Sequence, residues 1–239
     1  MKTVSCQIQS LSSLTTHVYK VLLKPNEKVD FIAGQYVNVV MSDKDKRPFS
    51  IASSPNSDLI ELQIGAFAAD SYPMQVIECI KASQASGEAV TIEIPLGNAQ
   101  LRTESERPLL LLAGGTGFSY IKSMFEYLAE QKSQRQVVVY WGLREESAVY
   151  ELEKTMATIA QLPHGKFIPV VEHMTEASAK SWQGKTGLVH QAAMEDIANF
   201  ASYDIYLAGR FDMVGAIRGD FVKHGALLEH MYADAFAFI

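Results

Sequence analysis

Two short stretches hold residues whose types and spacing could do chemistry. The first is Gly114-Gly115-Thr116-Gly117-Phe118-Ser119, which follows the apolar run Leu109-Leu110-Leu111-Leu112-Ala113. Residues without a Cβ tolerate positive φ and let a ligand approach the backbone, so the glycines permit a sharp turn. Phe118, Ile121, Phe125 and Leu128 then recur at helical spacing, and the order reads strand, turn, helix. Free N–H groups and the positive end of a helix dipole converge at such a turn, which suits a phosphate. No Lys-Ser or Lys-Thr follows, which excludes a P-loop, and Tyr120 stands where a Gly-x-Gly-x-x-Gly fingerprint has its third glycine. A glycine-rich connector that binds nothing fits the same residues.

The second stretch is Arg47-Pro48-Phe49-Ser50. Arg47 is a fixed cation able to fork onto a phosphate or cap a ligand carbonyl. Pro48 stiffens the backbone, Phe49 offers a flat face, and the Ser50 hydroxyl both donates and accepts. Read alone, the tetrapeptide is equally a surface arginine after a loop, with Phe49 in a core.

The elements that must position these residues divide at about residue 100. Before it, period-two alternation and β-branched runs predict strands over 4–8, 17–23, 35–41, 49–53, 60–64 and 90–94. A charged loop spans 42–46, and Met74, Ile77 and Ile80 mark a helix within 71–81. Six short strands with one inserted helix suggest a small closed antiparallel barrel. A polar linker over 96–108 leads to alternating strands and helices. Strands are expected over 109–113, 137–141, 167–171 and 205–208, with a closing strand over 232–238. Val149, Leu152, Met156 and Ile159 mark one helix, 188–199 another, and Met213, Ile217 and Phe221 a last; 172–186 reads as a polar loop. Repeated βα units imply a parallel sheet that binds ligands outside the carboxyl ends of its strands.

Composition bounds the function. With 239 residues, 48% hydrophobic and 20% charged, the chain has the make-up of an ordinary globular protein. A formal charge of −6 and no basic run argue against a nucleic-acid surface. Cys6 and Cys79 offer neither a disulfide framework nor metal-ligand spacing, so no metal is expected. The N-terminus has no apolar signal core and no apolar run reaches membrane-spanning length, so a cytoplasmic protein is expected.

Barrel with Arg-Pro-Phe-Ser, linker, then Gly-Gly-Thr-Gly-Phe-Ser: this order resembles the ferredoxin–NADP reductase superfamily nearly end to end. The family pattern Arg-x-(Tyr/Phe)-Ser/Thr falls on Arg47, Phe49 and Ser50, and the pyridine-nucleotide turn on Gly114 to Ser119. Trp141-Gly142-Leu143-Arg144-Glu145 and Leu207-Ala208-Gly209-Arg210 sit where the family places further strand-end nucleotide contacts. The ending Asp234-Ala235-Phe236-Ala237-Phe238-Ile239 is most similar to the NAD(P)H:flavin oxidoreductase branch. The resemblance implies a two-domain fold: an antiparallel Greek-key β-barrel that binds flavin (1–100), followed by an α/β Rossmann-like parallel-sheet domain that binds NAD(P) (101–239).

What the resemblance implies for the site is a hydride relay. Ser50 would hydrogen-bond flavin N5, and Asp234 would modulate charge or relay a proton near the flavin edge, although a solvated carboxylate before the last strand is the alternative. Arg47, Pro48, Phe49, Ser50, Gln63, Ile64, Gly65, Thr116, Phe236 and Phe238 would surround the flavin. Gly114, Gly115, Thr116, Gly117, Phe118, Arg144, Gly209 and Arg210 would hold NADH or NADPH. Three activities compete. One is reduction of an exchangeable flavin (FMN, FAD or riboflavin), with flavin-consuming monooxygenases or luciferase taking the product. The second is a tightly flavin-bound subunit passing electrons to a protein partner, and the third a regulatory nucleotide-binding module. The absence of iron–sulfur ligands favours the first, and nothing in the sequence points away from a monomer.

Overall fold

A computed structural model describes residues 1–175 and 182–239. The first sheet holds β1 (Lys2–Ser13), β2 (Val18–Pro25), β3 (Tyr36–Ser42), β4 (Asp45–Ser50), β5 (Ile60–Gly65) and β6 (Val90–Leu96). They lie in the order β4-β3-β6-β1-β2-β5, every pair antiparallel. The ends meet through a single bridge, Ile51 to Leu62, which closes the barrel. Alternation drives the closure: Val37, Val39, Ile60, Leu62, Ile64, Val90, Ile92 and Ile94 all point into one buried core. Helix α1 (Tyr72–Ser86) packs on that core through Val76, Ile77 and Ile80.

Three barrel elements differ most from the sequence expectation, the first being β1, which runs over Lys2–Ser13 where alternation predicts only 4–8. The loop expected over 42–46 is a tight hairpin in which Ser42 pairs with Asp45, so β4 begins four residues earlier than predicted and ends at Ser50 instead of 53. Helix α1 also runs on to Ser86, ending where Gly87 takes φ +74°.

The second sheet is wholly parallel. It contains β7 (Leu109–Gly114), β8 (Val137–Glu145), β9 (Gly165–His173), β10 (Lys185–Thr186), β11 (Asp204–Ala208) and β12 (Met231–Tyr232) in the order β10-β9-β8-β7-β11-β12. Helices α2 (Phe118–Glu130), α3 (Leu152–Ile159), α4 (Val189–Asp196) and α5 (Phe211–Lys223) cover it. Leu109, Leu111 and Ala113 enter the core under α2, while Leu110 and Leu112 enter the one under α4 and α5. An unbroken apolar run is what a strand buried on both faces requires. Strand order reverses between β7 and β11, so the crevice at their carboxyl ends is the topological switch point.

The strand expected over 232–238 is not formed. Pairing with β11 ends at Tyr232, and Asp234–Ala237 is a 3-10 turn. The polar loop expected over 172–186 includes β10, which pairs with β9; residues 176–181 of that loop lie outside the described residues. Among the described residues no helix is long and apolar enough to cross a membrane.

Candidate active site

The glycines of the turn do three different things. Gly115 takes φ +54°, and a Cβ there would meet nothing within 4 Å. Gly117 packs on backbone: a Cβ would lie 2.7 Å from the Ala208 carbonyl carbon and 2.8 Å from the Gly209 nitrogen. Gly114 leaves room for the Met213 thioether. The turn is therefore wedged into the switch point, with Gly115 facing open space. No side chain caps the start of α2 at Gly117, and the 3-10 turn Gly115–Gly117 leads into the helix with the Phe118 N–H donating back to the Gly115 and Thr116 carbonyls. The Phe118 ring is wholly buried, stacked on Trp141 at 4.1 Å, which leaves only its backbone to the crevice. The Trp141 indole N–H donates to the Gly115 carbonyl at 2.9 Å and fixes the turn from behind.

On the barrel, Ser50 ends β4 on the outer face, opposite Tyr36. Its hydroxyl is half-buried and has no hydrogen-bond partner among the described residues. Beyond the Ile51–Leu62 bridge, continued register would set Ser50 across from Gln63 and Pro48 across from Gly65. Among the described residues no ladder joins those segments beyond the Ile51–Leu62 bridge, beside which the Ala52 N–H donates to the Glu61 carbonyl at 2.8 Å; β4 is laddered to β3 and β5 to β2. The barrel therefore has a seam between β4 and β5 that no ladder closes on the Ser50 side of the bridge. A Cβ on Gly65 would lie 3.0 Å from Thr116 Cγ2, so the glycine turn comes down directly on this seam.

Asp234 approaches from the far end of the chain. It lies 3.1 Å from where Gly97, at φ +97°, would carry a Cβ, and the Asn98 N–H donates to its Oδ1 at 3.3 Å. Burial pushes its carboxyl above the ordinary aspartate range, against the pull of the Asn98 and Ala99 N–H groups. The Tyr36 hydroxyl is also raised, first by burial and then by the Asp234 charge. Tyr36 thus stands between Asp234 and Ser50.

Other expected site residues are placed elsewhere. Asp45, Arg47 and Phe49 share the inner face of β4, three residues being an odd step in a period-two strand, so Arg47 and Ser50 face opposite ways. The Arg47 guanidinium is paired with Asp45, donates to Gln75 at 3.1 Å and lies over the Tyr72 ring at 5.3 Å, tying α1 to β4. Phe49 packs on the barrel core, Pro48 is exposed on the outer face and Ile64 is fully buried. Gly209 follows β11 against Met213, near the Gly114 nitrogen. Arg144 is exposed at the end of β8, and Arg210 forks onto Asp212 at 2.6 and 3.1 Å while remaining 82% exposed. Phe236 lies under Arg218 at 5.3 Å, and Phe238 stacks on Phe211 at 5.5 Å. These two terminal aromatics are engaged with α5, not gathered at the seam.

Sequence reasoning missed a buried ionic layer between the domains. Glu61 and Lys122 are 5% and 1% exposed, with Lys122 Nζ 3.3 Å from Glu61 and 2.8 Å from Glu126. Lys20 binds Glu151 at 2.6 Å and Glu61 at 3.5 Å. Burial alone would raise the Glu61 carboxyl, but Lys122, Lys20 and Lys154 together hold it below the ordinary range. Lys122 also donates to the Ala52 carbonyl at 3.2 Å and Ser123 to the Ser53 carbonyl at 2.7 Å. A signal existed in the sequence: Lys122 follows Phe118 and precedes Glu126 by four residues each, within the apolar stripe of α2.

The site fits a flat heterocycle and a dinucleotide. Gly115 faces a space that a phosphate could fill, and the unladdered seam between β4 and β5 carries a hydroxyl without a partner among the described residues. An antiparallel barrel opening at β4 and β5 under the switch point of a parallel sheet defines a two-domain flavin and pyridine-nucleotide oxidoreductase fold. Residues 111–219 match the oxidoreductase NAD-binding domain. A ferredoxin reductase in carbazole 1,9a-dioxygenase shares the fold, with TM-score 0.84 and 22% identity over 98% of this chain and 69% of that one. The chain is 44% identical to the NAD(P)H-flavin reductase of Vibrio harveyi, over 99% of this chain and 100% of that protein. Identity to the NAD(P)H-flavin reductase of Aliivibrio fischeri is 42%, over 99% of each chain. The protein belongs to the NAD(P)H-flavin reductase family of ferredoxin–NADP reductase-like proteins.

Proposed function

We propose that the protein uses NADH or NADPH to reduce a free, exchangeable flavin (FMN, FAD or riboflavin) and releases the product. The observation that carries this reading is the open seam of the barrel, with the unpartnered Ser50 hydroxyl on one lip and Gly65 under Thr116 on the other. The full-length relatives named NAD(P)H-flavin reductase support it. Bound pyridine nucleotide supplies the hydride and flavin N5 takes it up, so the cofactors carry the difficult chemistry. The protein supplies position and polarity. The bare Gly115 backbone and the positive end of the α2 dipole would hold the pyrophosphate. Backbone groups of 48–50 and 63–65 hold the edge of the flavin ring. The Ser50 Oγ–H would donate toward N5 of a bound flavin, a position from which it could offset developing negative charge. Asp234, with its raised carboxyl, holds or delivers a proton at Oδ1 or Oδ2 beside Tyr36.

These anchors predict weak flavin retention, with a dissociation constant on the order of a micromolar (~−8 kcal/mol). The purified protein should be nearly colourless near 450 nm after dialysis, and NAD(P)H oxidation should rise and saturate with added flavin. A stoichiometrically yellow protein whose rate ignores added flavin would overturn this reading and favour an electron-transfer subunit with a protein partner. Both pyridine nucleotides should serve, because the turn reads the pyrophosphate they share and Arg210 is already paired with Asp212. We place the protein in the cytoplasm as a monomer, its cysteines free, supplying reduced flavin to monooxygenases or luciferase. Gel filtration tests the monomer.

A further inference from the structure

Gln63 sits on the lip of the seam, two residues before Gly65, yet its side chain has nothing left to offer a ligand. Its amide nitrogen donates to Glu61 at 2.9 Å and Glu151 at 3.0 Å, while its oxygen accepts from Tyr150 at 3.2 Å and Ser119 at 3.5 Å. Those four bonds exhaust an amide's two donors and two acceptor positions. Each partner on the other domain leads to the nucleotide crevice. Ser119 is in the first turn of α2. The Tyr150 ring, 4% exposed, stands edge-on to Trp141 at 4.9 Å and to Phe118 at 5.9 Å. Trp141 in turn holds the Gly115 carbonyl. Glu151 has a positive φ of +50°, rare for a residue with a Cβ, and the barrel groups Lys20 and Gln63 grip its carboxylate.

We infer that the Tyr150–Gln63 hydrogen bond is a positioning link, setting the height of the glycine turn over the barrel seam and so the separation across which hydride moves. It rests on the proposed flavin reduction. Neither side chain is assigned a contact with a ligand. The link runs from the seam lip through the Tyr150 hydroxyl and ring to the Trp141 indole and the Gly115 carbonyl, each step a contact given above. Gln63 is then a positioning residue acting through Tyr150, and only its backbone belongs to the flavin edge. Direct contact between Gly65 and Thr116 limits how close the domains come, while the Tyr150 bond is the tie nearest the Trp141–Gly115 contact among those, with Lys122 to Glu61 and Ser123 to Ser53, that keep them from parting.

Tyr150→Phe removes the hydroxyl and keeps the ring contacts. Two measurements on this variant separate positioning from simple loosening. In the free protein, deuterium exchange of the Trp141 indole N–H should quicken. In stopped flow with NADH and FMN, flavin reduction should slow by about tenfold, within the hundredfold that a misplacement of one ångström can cause. The dissociation constants of both ligands should stay within about twofold, and the isotope effect with NADH deuterated at the transferred hydrogen should become more temperature-dependent. Gln63→Met should act through the same bond, so the double variant should be no slower than the slower single one. Unchanged indole exchange in Tyr150→Phe overturns the link itself. Faster exchange with wild-type reduction rate and isotope effect overturns its role in positioning. A wild-type protein that leaves FMN oxidised overturns the flavin reduction on which the link depends.

Discussion

Gly115→Ala tests whether the glycine turn is a phosphate cradle or only a tight connection. A Cβ at this position meets no atom within 4 Å, so the substitution causes no clash. The cost to folding is conformational: alanine at φ +54° carries roughly 1–2 kcal/mol relative to a right-handed conformation. In a chain of this length that lowers the midpoint of thermal unfolding by roughly 2–8 °C. The new methyl group points into the space assigned to the pyrophosphate. Losing one charge-assisted hydrogen bond there costs about 1.5–3 kcal/mol, or roughly ten- to a hundredfold in affinity for NAD(P)H. Flavin affinity should be untouched, because the seam is built from β4 and β5. Gly117→Ala is the control, since its Cβ would press on the backbone of Ala208 and Gly209, which cannot swing aside. That change strains the β7–β11 switch point and should lower stability by about 1–3 kcal/mol or more. The assays are thermal unfolding and direct titration with NADH and FMN. A Gly115→Ala protein of reduced stability that binds NADH within twofold of wild type would refute the cradle.

Ser50→Ala should slow flavin reduction by roughly thirty- to a thousandfold, the worth of a transition-state hydrogen bond of ~2–4 kcal/mol, with little change in flavin affinity. Wild-type reduction with weaker flavin binding would assign the hydroxyl to binding alone. Lys122→Met leaves Glu61 and Glu126 in the interdomain layer without their buried partner and should cost about 3–5 kcal/mol in urea unfolding. A loss of under about 1 kcal/mol would show that the layer admits water. Asp234 has a raised carboxyl, so the folded protein binds that proton more tightly than the unfolded chain does. Its contribution to stability is complete below the ordinary aspartate value of about 3.9 and is lost as pH rises through the raised folded value. The stability of Asp234→Asn relative to wild type should therefore increase from pH 4 toward neutrality, and a flat difference would contradict the burial of the carboxyl. Glu61 contributes with the opposite sign, its stabilisation being lost as pH falls, so the difference between proteins is the quantity to read.

Periodicity reports which residues share a face but not what that face meets. Ile60, Leu62 and Ile64 declare themselves as core by alternation, and the structure buries all three. The same alternation marks Glu61 and Gln63 as the opposite face, which polarity suggests is wet. They are 5% and 4% exposed, because a second domain lies on that face and supplies lysines, a tyrosine and a serine. Run length was the more secure signal in β7, where four leucines fit only a strand covered on both sides. The end of the chain misled for a related reason. Phe236 and Phe238 alternate as a strand would, but pairing with β11 ends at Tyr232, and β11 itself stops at Ala208, in register with Asp234, so no partner reaches the two aromatics. With no ladder to join, the segment coils into a 3-10 turn and the aromatics settle on α5 instead.

The site divides along the same line between local and non-local causes. The glycine turn was legible because a turn's demands are written in consecutive residues, and Gly115 and Gly117 meet them in different ways. Arg47 and Ser50 looked like two hands on one ligand through a family pattern, yet three steps along a strand reverse the face. Period-two geometry therefore turns the two side chains to opposite faces of β4, and Arg47 goes to Asp45, Gln75 and Tyr72. The open seam could not be foreseen from either strand. It exists because residues eleven apart, Ile51 and Leu62, make an isolated bridge that does not continue as a ladder between β4 and β5. A barrel fully zipped from 51 back to 47 would satisfy its own backbone and leave no edge to recognise a ring. The incomplete closure is thus the feature on which the proposed flavin site depends, and Ser50 would gain its role there by standing where the ladder stops.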